Sequence, residues 1–119
     1  MVEQEVAAIL KSSDLARTID WYERTGFELL GAFPDDRPTW AALGRDGLVL
    51  HFMAGATPWD APPSFTGCFY VHPDSVQAVY EQVKDKIACE FGVEEREWGA
   101  RELTVCDPDG YFLTFTEPL

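Results

Sequence analysis

The sequence predicts an α+β fold in which two βαβββ repeats form a curled mixed sheet around a cavity, with the helices outside. The main observation is that a short apolar strand, a capped amphipathic helix and three further strands follow one another in the same order twice. The apolar residues of the two helices also recur at one spacing, first as Leu15, Ile19 and Tyr22 and then as Val76, Tyr80 and Val83. Because one such unit cannot bury both faces of its own sheet, the two copies are expected to pack together.

The first repeat covers about residues 5–53. It begins with an apolar strand at 5–11, after which Ser12, Ser13 and Asp14 offer capping oxygens to a helix that ends at Gly26. Turn-forming residues, rich in proline, aspartate and glycine, then separate three predicted strands at 27–33, 39–43 and 47–53.

A connector at 54–64 separates the repeats, because its prolines remove hydrogen-bond donors from a sheet and resist helix formation. The second repeat covers about residues 66–117 and begins with a strand at 68–72. A capping box at 74–77 opens the second helix, whose apolar stripe extends to Ile87. The remaining predicted strands are 89–93, 101–106 and 111–116, the last two joined by the turn Asp107-Pro108-Asp109-Gly110.

Length and composition fit a single domain over residues 1–119, since the chain is long enough to bury a core and 46% of its residues are hydrophobic. No apolar run approaches the roughly 20 residues that span a bilayer. The acidic Glu3 and Glu5 are unlike a secretory signal, so we expect a cytoplasmic protein. The odd number of cysteines, Cys68, Cys89 and Cys106, in apolar contexts predicts buried thiols instead of a disulfide framework or a zinc site.

The charge of the chain restricts its partners. There are 21 acidic residues against 9 basic ones, and the formal net charge is −12. Such a surface repels nucleic acid and anionic membranes, so neither is an expected partner. It also raises the local concentration of a cationic ligand, although an acidic surface serves solubility alone in many proteins.

Three segments together resemble the vicinal oxygen chelate superfamily, which contains glyoxalases, ring-cleaving dioxygenases and bleomycin-resistance proteins. They are residues 13–27, with Trp21-Tyr22-Glu23-Arg24-Thr25-Gly26-Phe27, then residues 46–52, and finally residues 97–110, which end in the Asp-Pro-Asp-Gly turn. The resemblance covers nearly the whole chain and implies one vicinal-oxygen-chelate-like domain.

Enzymes of that superfamily hold a divalent ion with His or Glu from the first and last strands of each repeat. The corresponding positions here are Ala7, His51, Cys68 and Thr114. One imidazole, one thiol and no carboxylate make a poor donor set for a hard catalytic ion. The resemblance therefore implies no metal, no cofactor and no catalytic residue, with His51 as a polar residue that lines the cavity.

The pattern is most similar to the bleomycin-resistance proteins, in which an acidic dimer sequesters a cationic glycopeptide without chemistry. The resemblance implies a homodimer with a small cationic or aromatic antibiotic in a groove at the subunit interface. Two alternatives stay open. One is a lyase or isomerase with a nonstandard site built from His51, Cys68 and Glu102, and the other is a carrier for another natural product.

Strand alternation and aromatic content indicate which residues line that groove. If His51 faces the cavity, Val49 and Met53 face it too, and in the last hairpin Glu102 and Thr104 face inward while their neighbours lie under the helix. Three indoles offer stacking surfaces for a cationic or aromatic ligand. The predicted ligand-binding residues are Trp40, Val49, His51, Met53, Trp59, Trp98, Glu102, Thr104 and Thr114. The loop residues Asp35, Asp36 and Asp60 are weaker candidates for the lip of the groove.

Overall fold

The chain forms two repeats with the same order of elements, each built on a four-stranded sheet. The structure is a computed structural model and describes residues 6–59 and 61–119. The first repeat comprises β1 (Ala8–Lys11), α1 (Leu15–Arg24), β2 (Glu28–Phe33), β3 (Trp40–Arg45) and β4 (Leu48–Met53). The second comprises β5 (Cys68–Val71), α2 (Val76–Val83), β6 (Val93–Arg96), β7 (Ala100–Cys106) and β8 (Phe112–Pro118). The predicted α+β class with two βαβββ units is confirmed.

The two sheets have equivalent strand orders, β1-β4-β3-β2 and β5-β8-β7-β6. In each sheet the first strand of the repeat pairs in parallel with the last, and the other pairs are antiparallel. Helix α1 contacts β2 and β3, and α2 contacts β6, β7 and β8. Each sheet thus has one face beneath its helix and one opposite face. Within the described residues, no helix is both long enough and apolar enough to span a bilayer.

Helix α1 has the ends that the sequence predicts. The Asp14 side chain accepts a hydrogen bond from the Arg17 amide at 3.1 Å, which satisfies one of the free amides of the first turn. At the other end, Gly26 has a φ of +87°, so the chain leaves the helix in a conformation that glycine adopts without strain. The guanidinium of Arg45 lies against this turn and donates to the Thr25 carbonyl at 2.8 Å.

Replacing Gly26 with alanine should lower the free energy of unfolding by about 2–3 kcal/mol. The added methyl group would meet both the positive φ and the Arg45 guanidinium, because a Cβ at this position would lie 2.5 Å from Arg45 Nη1. Gly55→Ala is the matched control, since Gly55 has a φ of +84° and open space around its Cβ position. Chemical denaturation should give about 1 kcal/mol for the control, and equal losses would refute the steric contribution of Arg45.

The repeats share one core, which lies between the helix-bearing faces. Tyr22 of α1 is fully buried, contacts the Phe52 ring at a centroid distance of 4.9 Å and donates a hydrogen bond to Asp107 at 2.8 Å. The Arg45 guanidinium lies 5.2 Å from the centre of the Phe115 ring. The large side chains with the least exposure come from both repeats: Tyr22, Leu43, Leu50, Phe52, Leu103, Leu113 and Phe115.

The structure departs from the sequence-based prediction around β6. The predicted strand at 89–93 is wrong, because the strand is Val93–Arg96 and Gly92 just before it has a φ of +64°. Helix α2 ends at Val83 and not near Ile87, although Ile87 is buried. The three cysteines are free, but the predicted burial of all three is wrong, since Cys68 and Cys106 are exposed. Both cysteines lie on the face of the second sheet that α2 does not cover, next to Phe112 in register.

Candidate functional site

The face of the first sheet opposite α1 carries most of the aromatic candidates. Leu50 and Phe52 of β4 are fully buried on the helix side, so the alternating Val49, His51 and Met53 point to the other side, as predicted. Strand register adds residues from the neighbouring strands. We call this face the aromatic wall, and it consists of Ile9, Lys11, Phe33, Trp40, Val49, His51 and Met53.

Trp40 and His51 form the centre of the aromatic wall. The indole Nε1 donates a hydrogen bond to His51 Nδ1 at 3.1 Å, and the ring centroids are 5.5 Å apart. Small residues make room for the indole, because Ala42 pairs with His51 and Gly31 pairs with Ala42. A Cβ on Gly31 would lie 3.4 Å from the far edge of the Trp40 ring. The indole therefore lies over Gly31 with its polar edge held by His51.

The corresponding face of the second sheet is rich in hydroxyl groups. Thr104 and Thr114 share a hydrogen bond of 2.9 Å between their side-chain oxygens. One row further, Thr116 donates to Glu102 at 2.9 Å. Tyr70 of β5 pairs in register with Thr114 and is half exposed. We call this part of the face the polar wall, defined as Tyr70, Glu102, Thr104, Thr114 and Thr116. Cys68, Cys106 and Phe112 lie further along the same face.

Glu102 lies on the polar wall but is less accessible than the sequence suggests. Its residue exposure is 4%, and the Arg96 Nε lies 3.4 Å from one carboxylate oxygen while Thr116 donates to the other. The negative charge of Glu102 is the main cause that raises the pKa of the Tyr70 phenol. The wall thus presents a phenol beside a carboxyl group that already has Arg96 and Thr116 as partners.

Of the two other predicted indoles, Trp98 lies apart from these walls, whereas Trp59 borders the aromatic wall at β1. Trp98 is 68% exposed in the turn between β6 and β7, and the Arg96 guanidinium lies 5.8 Å from its ring centre. Trp59 of the connector is 45% exposed and lines a pocket of about 350 Å³ together with Ile9, Lys11 and Tyr111. Of the loop carboxylates, Asp35 and Asp36 are exposed, and Asp60 lies outside the described residues.

Sequence reasoning missed three exposed side chains on the walls. Ile9 pairs with His51 across β1 and β4, Phe33 pairs with Trp40, and Tyr70 pairs with Thr114. Phe33 is 70% exposed, which is unusual for a phenylalanine in a strand. The alternation of residues along β1 and β2 indicates which way Ile9 and Phe33 point. Only the strand register places them beside His51 and Trp40.

The four positions that correspond to metal ligands in the resembled superfamily do not come together as a ligand group within the described residues. Across residues 6–59 and 61–119, no three side chains of the His, Cys, Asp or Glu type come together as a ligand group. His51 lies on the first sheet, with its Nδ1 occupied by Trp40, whereas Cys68 and Thr114 lie on the second. The donor set does not fit a catalytic divalent ion. The alternative site of His51, Cys68 and Glu102 is likewise divided between the two sheets of one chain.

Comparison with known proteins covers nearly the whole chain. A family model described as the Glyoxalase/Bleomycin resistance protein/Dioxygenase superfamily matches residues 6–115. Among proteins with curated functions, none matches significantly.

Solved structures with the same fold include a protein named for bleomycin binding and one named for bleomycin resistance. A bleomycin-binding protein complexed with bleomycin is 26% identical, with a TM-score of 0.74 and coverage of 99% of this chain and 100% of that one. The bleomycin resistance determinant encoded on the transposon Tn5 is 25% identical, with a TM-score of 0.68 and coverage of 98% of both chains. TioX from Micromonospora sp. ML1 is similar in fold, with a TM-score of 0.77, 23% identity and coverage of 98% and 100%.

Proposed function

Because the chain belongs to the Glyoxalase/Bleomycin resistance protein/Dioxygenase superfamily, we propose that it binds a small molecule without transforming it. The ligand is a cationic or aromatic antibiotic of the bleomycin type, sequestered in a groove between two copies of the chain. The observation that carries the proposal is the aromatic wall, a sheet face with an ordered indole and an exposed Phe33. The similarity to a bleomycin-binding protein of 26% identity supports the same class of ligand.

The aromatic wall supplies the stacking surface. A planar ring gains contact area and quadrupole attraction on an indole, and a cation gains attraction on its face. Trp40 is preorganised for this role, since its polar edge donates a hydrogen bond to His51. Little side-chain entropy is then lost when the ligand binds.

The polar wall and the net charge supply the remaining contacts. Two wall hydroxyls, Thr104 and Thr114, bond to each other. Thr114 is 4% exposed, so Thr104 is the more accessible of the two and can accept or donate one more hydrogen bond. The chain charge of −12 favours encounter with a cationic ligand, and this attraction is screened by salt. In a symmetric homodimer, the aromatic wall of one copy can face the polar wall of the other.

Isothermal titration of the full chain with copper-free and copper-loaded bleomycin tests the proposal. We expect one saturable site per chain, and we expect Trp40→Ala to weaken binding roughly tenfold or more because it removes the central stacking surface. High salt should weaken binding as well. Trp59→Ala and Trp98→Ala measure whether the indole at the border of the wall and the indole of the β6–β7 turn also contact the ligand.

Trp21→Phe serves as the control for indole loss, because Trp21 lies on α1 and packs on Tyr22. Sedimentation of the same samples should give twice the chain mass of 13.4 kDa. Absence of heat with both forms of bleomycin would refute the bleomycin assignment. Screening of other aromatic natural products by the same titration then tests the carrier alternative.

A further inference from the structure

The hydrogen bond between Trp40 and His51 determines which imidazole nitrogen carries the proton. An indole N–H can only donate, so His51 Nδ1 must accept. In a neutral imidazole the other nitrogen, Nε2, then carries the hydrogen. We infer that Trp40 fixes His51 in the Nε2–H tautomer and that this N–H binds an acceptor oxygen, such as a carbonyl oxygen, on a planar aromatic ligand.

The surroundings of His51 leave its Nε2–H available. Within the part of the chain that the structure describes, the side-chain hydrogen bond of His51 is the one with Trp40. His51 is half buried, and its neighbours in register are the apolar Ile9 on β1 and the small Ala42 on β3. A donor in such a setting gains most from an acceptor on the ligand, because few other partners compete for it.

Lys11 lies beside Met53 in register, on the same face as His51, and has a contact of its own. The polar selectivity of the wall next to Trp40 is therefore assigned to the His51 Nε2–H. The inference rests on the proposed function and assigns the aromatic, acceptor-bearing end of the ligand to the aromatic wall.

The tautomer also explains why His51 is poorly suited to metal binding. A metal would need the lone pair of Nε2, but that nitrogen carries the hydrogen as long as Trp40 donates to Nδ1. Metal ligation through Nε2 therefore requires the loss of the Trp40 hydrogen bond. The same contact that orients the ring for an acceptor oxygen thus opposes a divalent ion.

Nitrogen NMR of the histidine-labelled full chain at mildly basic pH tests the tautomer without any ligand. We expect His51 to show a protonated Nε2 and an unprotonated Nδ1, and His72→Gln identifies its signals. Trp40→Phe should remove the preference for this tautomer, whereas Trp21→Phe should keep it. A protonated Nδ1 in the unsubstituted protein would overturn the inference, and this result does not depend on how well a variant folds.

A pair of planar bicyclic probes tests the ligand class. Coumarin carries a carbonyl oxygen, and N-methylquinolinium carries a charge and no acceptor. In chemical-shift titrations, His51→Phe should weaken coumarin binding roughly threefold to tenfold more than it weakens N-methylquinolinium binding. Loss of the Nδ1 acceptor for Trp40 affects both probes, whereas loss of the Nε2 donor affects only the probe with a carbonyl oxygen. Trp40→Phe should lower the ratio of the coumarin affinity to the N-methylquinolinium affinity.

Each outcome of the probe titration has a distinct meaning. Binding of both probes at the aromatic wall, with equal effects of His51→Phe on both, would overturn the acceptor assignment and leave the proposed function standing. Failure of both probes to shift any resonance of the aromatic wall would overturn the assignment together with the wall as a ligand site. A His51→Phe variant that loses more affinity for coumarin than for N-methylquinolinium supports the acceptor assignment.

Discussion

Replacing Asp107 with alanine lowers the free energy of unfolding by about 3–5 kcal/mol, because three hydrogen-bond donors lose their acceptor. Asp107 is 4% exposed and accepts from the amides of Asp109 and Tyr111 at 2.8 and 2.9 Å, and from the Tyr22 hydroxyl at 2.8 Å. The first two bonds shape the turn between β7 and β8, and the third joins the two repeats. Urea denaturation followed by circular dichroism measures the loss.

Asp107→Asn is the control. The asparagine side chain keeps an acceptor oxygen for the two backbone amides, so the free energy of unfolding should stay within about 1 kcal/mol of that of the parent. Burial raises the pKa of the Asp107 carboxyl in the folded protein above its ordinary value of 3.8. The folded state then binds the proton more tightly than the unfolded state, so this group stabilises the fold below pH 3.8 and loses that contribution as pH rises through the higher folded pKa. The asparagine variant should lack this pH dependence. An alanine variant as stable as the asparagine variant would contradict the role given to the acceptor.

Phe52→Ala should cost about 3–5 kcal/mol, through lost burial and the cavity left behind. Phe52 is fully buried, with the Tyr22 and Tyr111 ring centroids at 4.9 and 6.4 Å, so it contacts both repeats. Phe33→Ala is the matched control, because the same atoms are removed from a side chain that is 70% exposed, and it should cost less than about 1 kcal/mol.

Since the core is shared, the Phe52→Ala variant should still unfold in one transition. Tryptophan fluorescence and far-ultraviolet circular dichroism should give the same midpoint. Two separated transitions would show that the repeats are stabilised independently, against the arrangement of Tyr22, Phe52 and Tyr111.

The sequence predicts those parts of the fold in which one-sided burial makes apolar residues recur at the spacing of a strand or a helix. Leu50 and Phe52 alternate with His51 because β4 is a central strand with one face in the core. Asp14 and Ser75 cap the helices through local contacts that any chain with that sequence can make. These features need no knowledge of the partner strands.

Strand β6 could not be predicted in this way. It is an edge strand of four residues with charged Glu94, Glu95 and Arg96, so it lacks the apolar alternation that reveals a strand. The exposure of Cys68 and Cys106 was missed because apolar neighbours in the sequence suggested burial, whereas both thiols lie on the uncovered face of the second sheet.

The sequence indicates which candidate residues share a face of a sheet, but it does not indicate which of their side chains are in contact. The alternation of β4 places Val49, His51 and Met53 together, but the bond between Trp40 and His51 joins residues eleven positions apart on different strands. It exists only in the register that pairs Ala42 with His51, and a slip of one residue would turn Trp40 to the other face. Glu102 lies on the face that α2 does not cover, and its burial by Arg96 and Thr116 depends on two other strands.

The parallel pairing of the first and last strands of each repeat has a consequence for the growing chain on the ribosome. β1 finds its partner only after β4 has been synthesised, about forty residues later, and β5 must wait for β8. Because Leu113 and Phe115 also complete the shared core, a nascent chain that stops before β8 exposes the apolar face of the first repeat. Productive folding is therefore expected late in synthesis, and chains truncated before β8 should be substrates for chaperones and proteases.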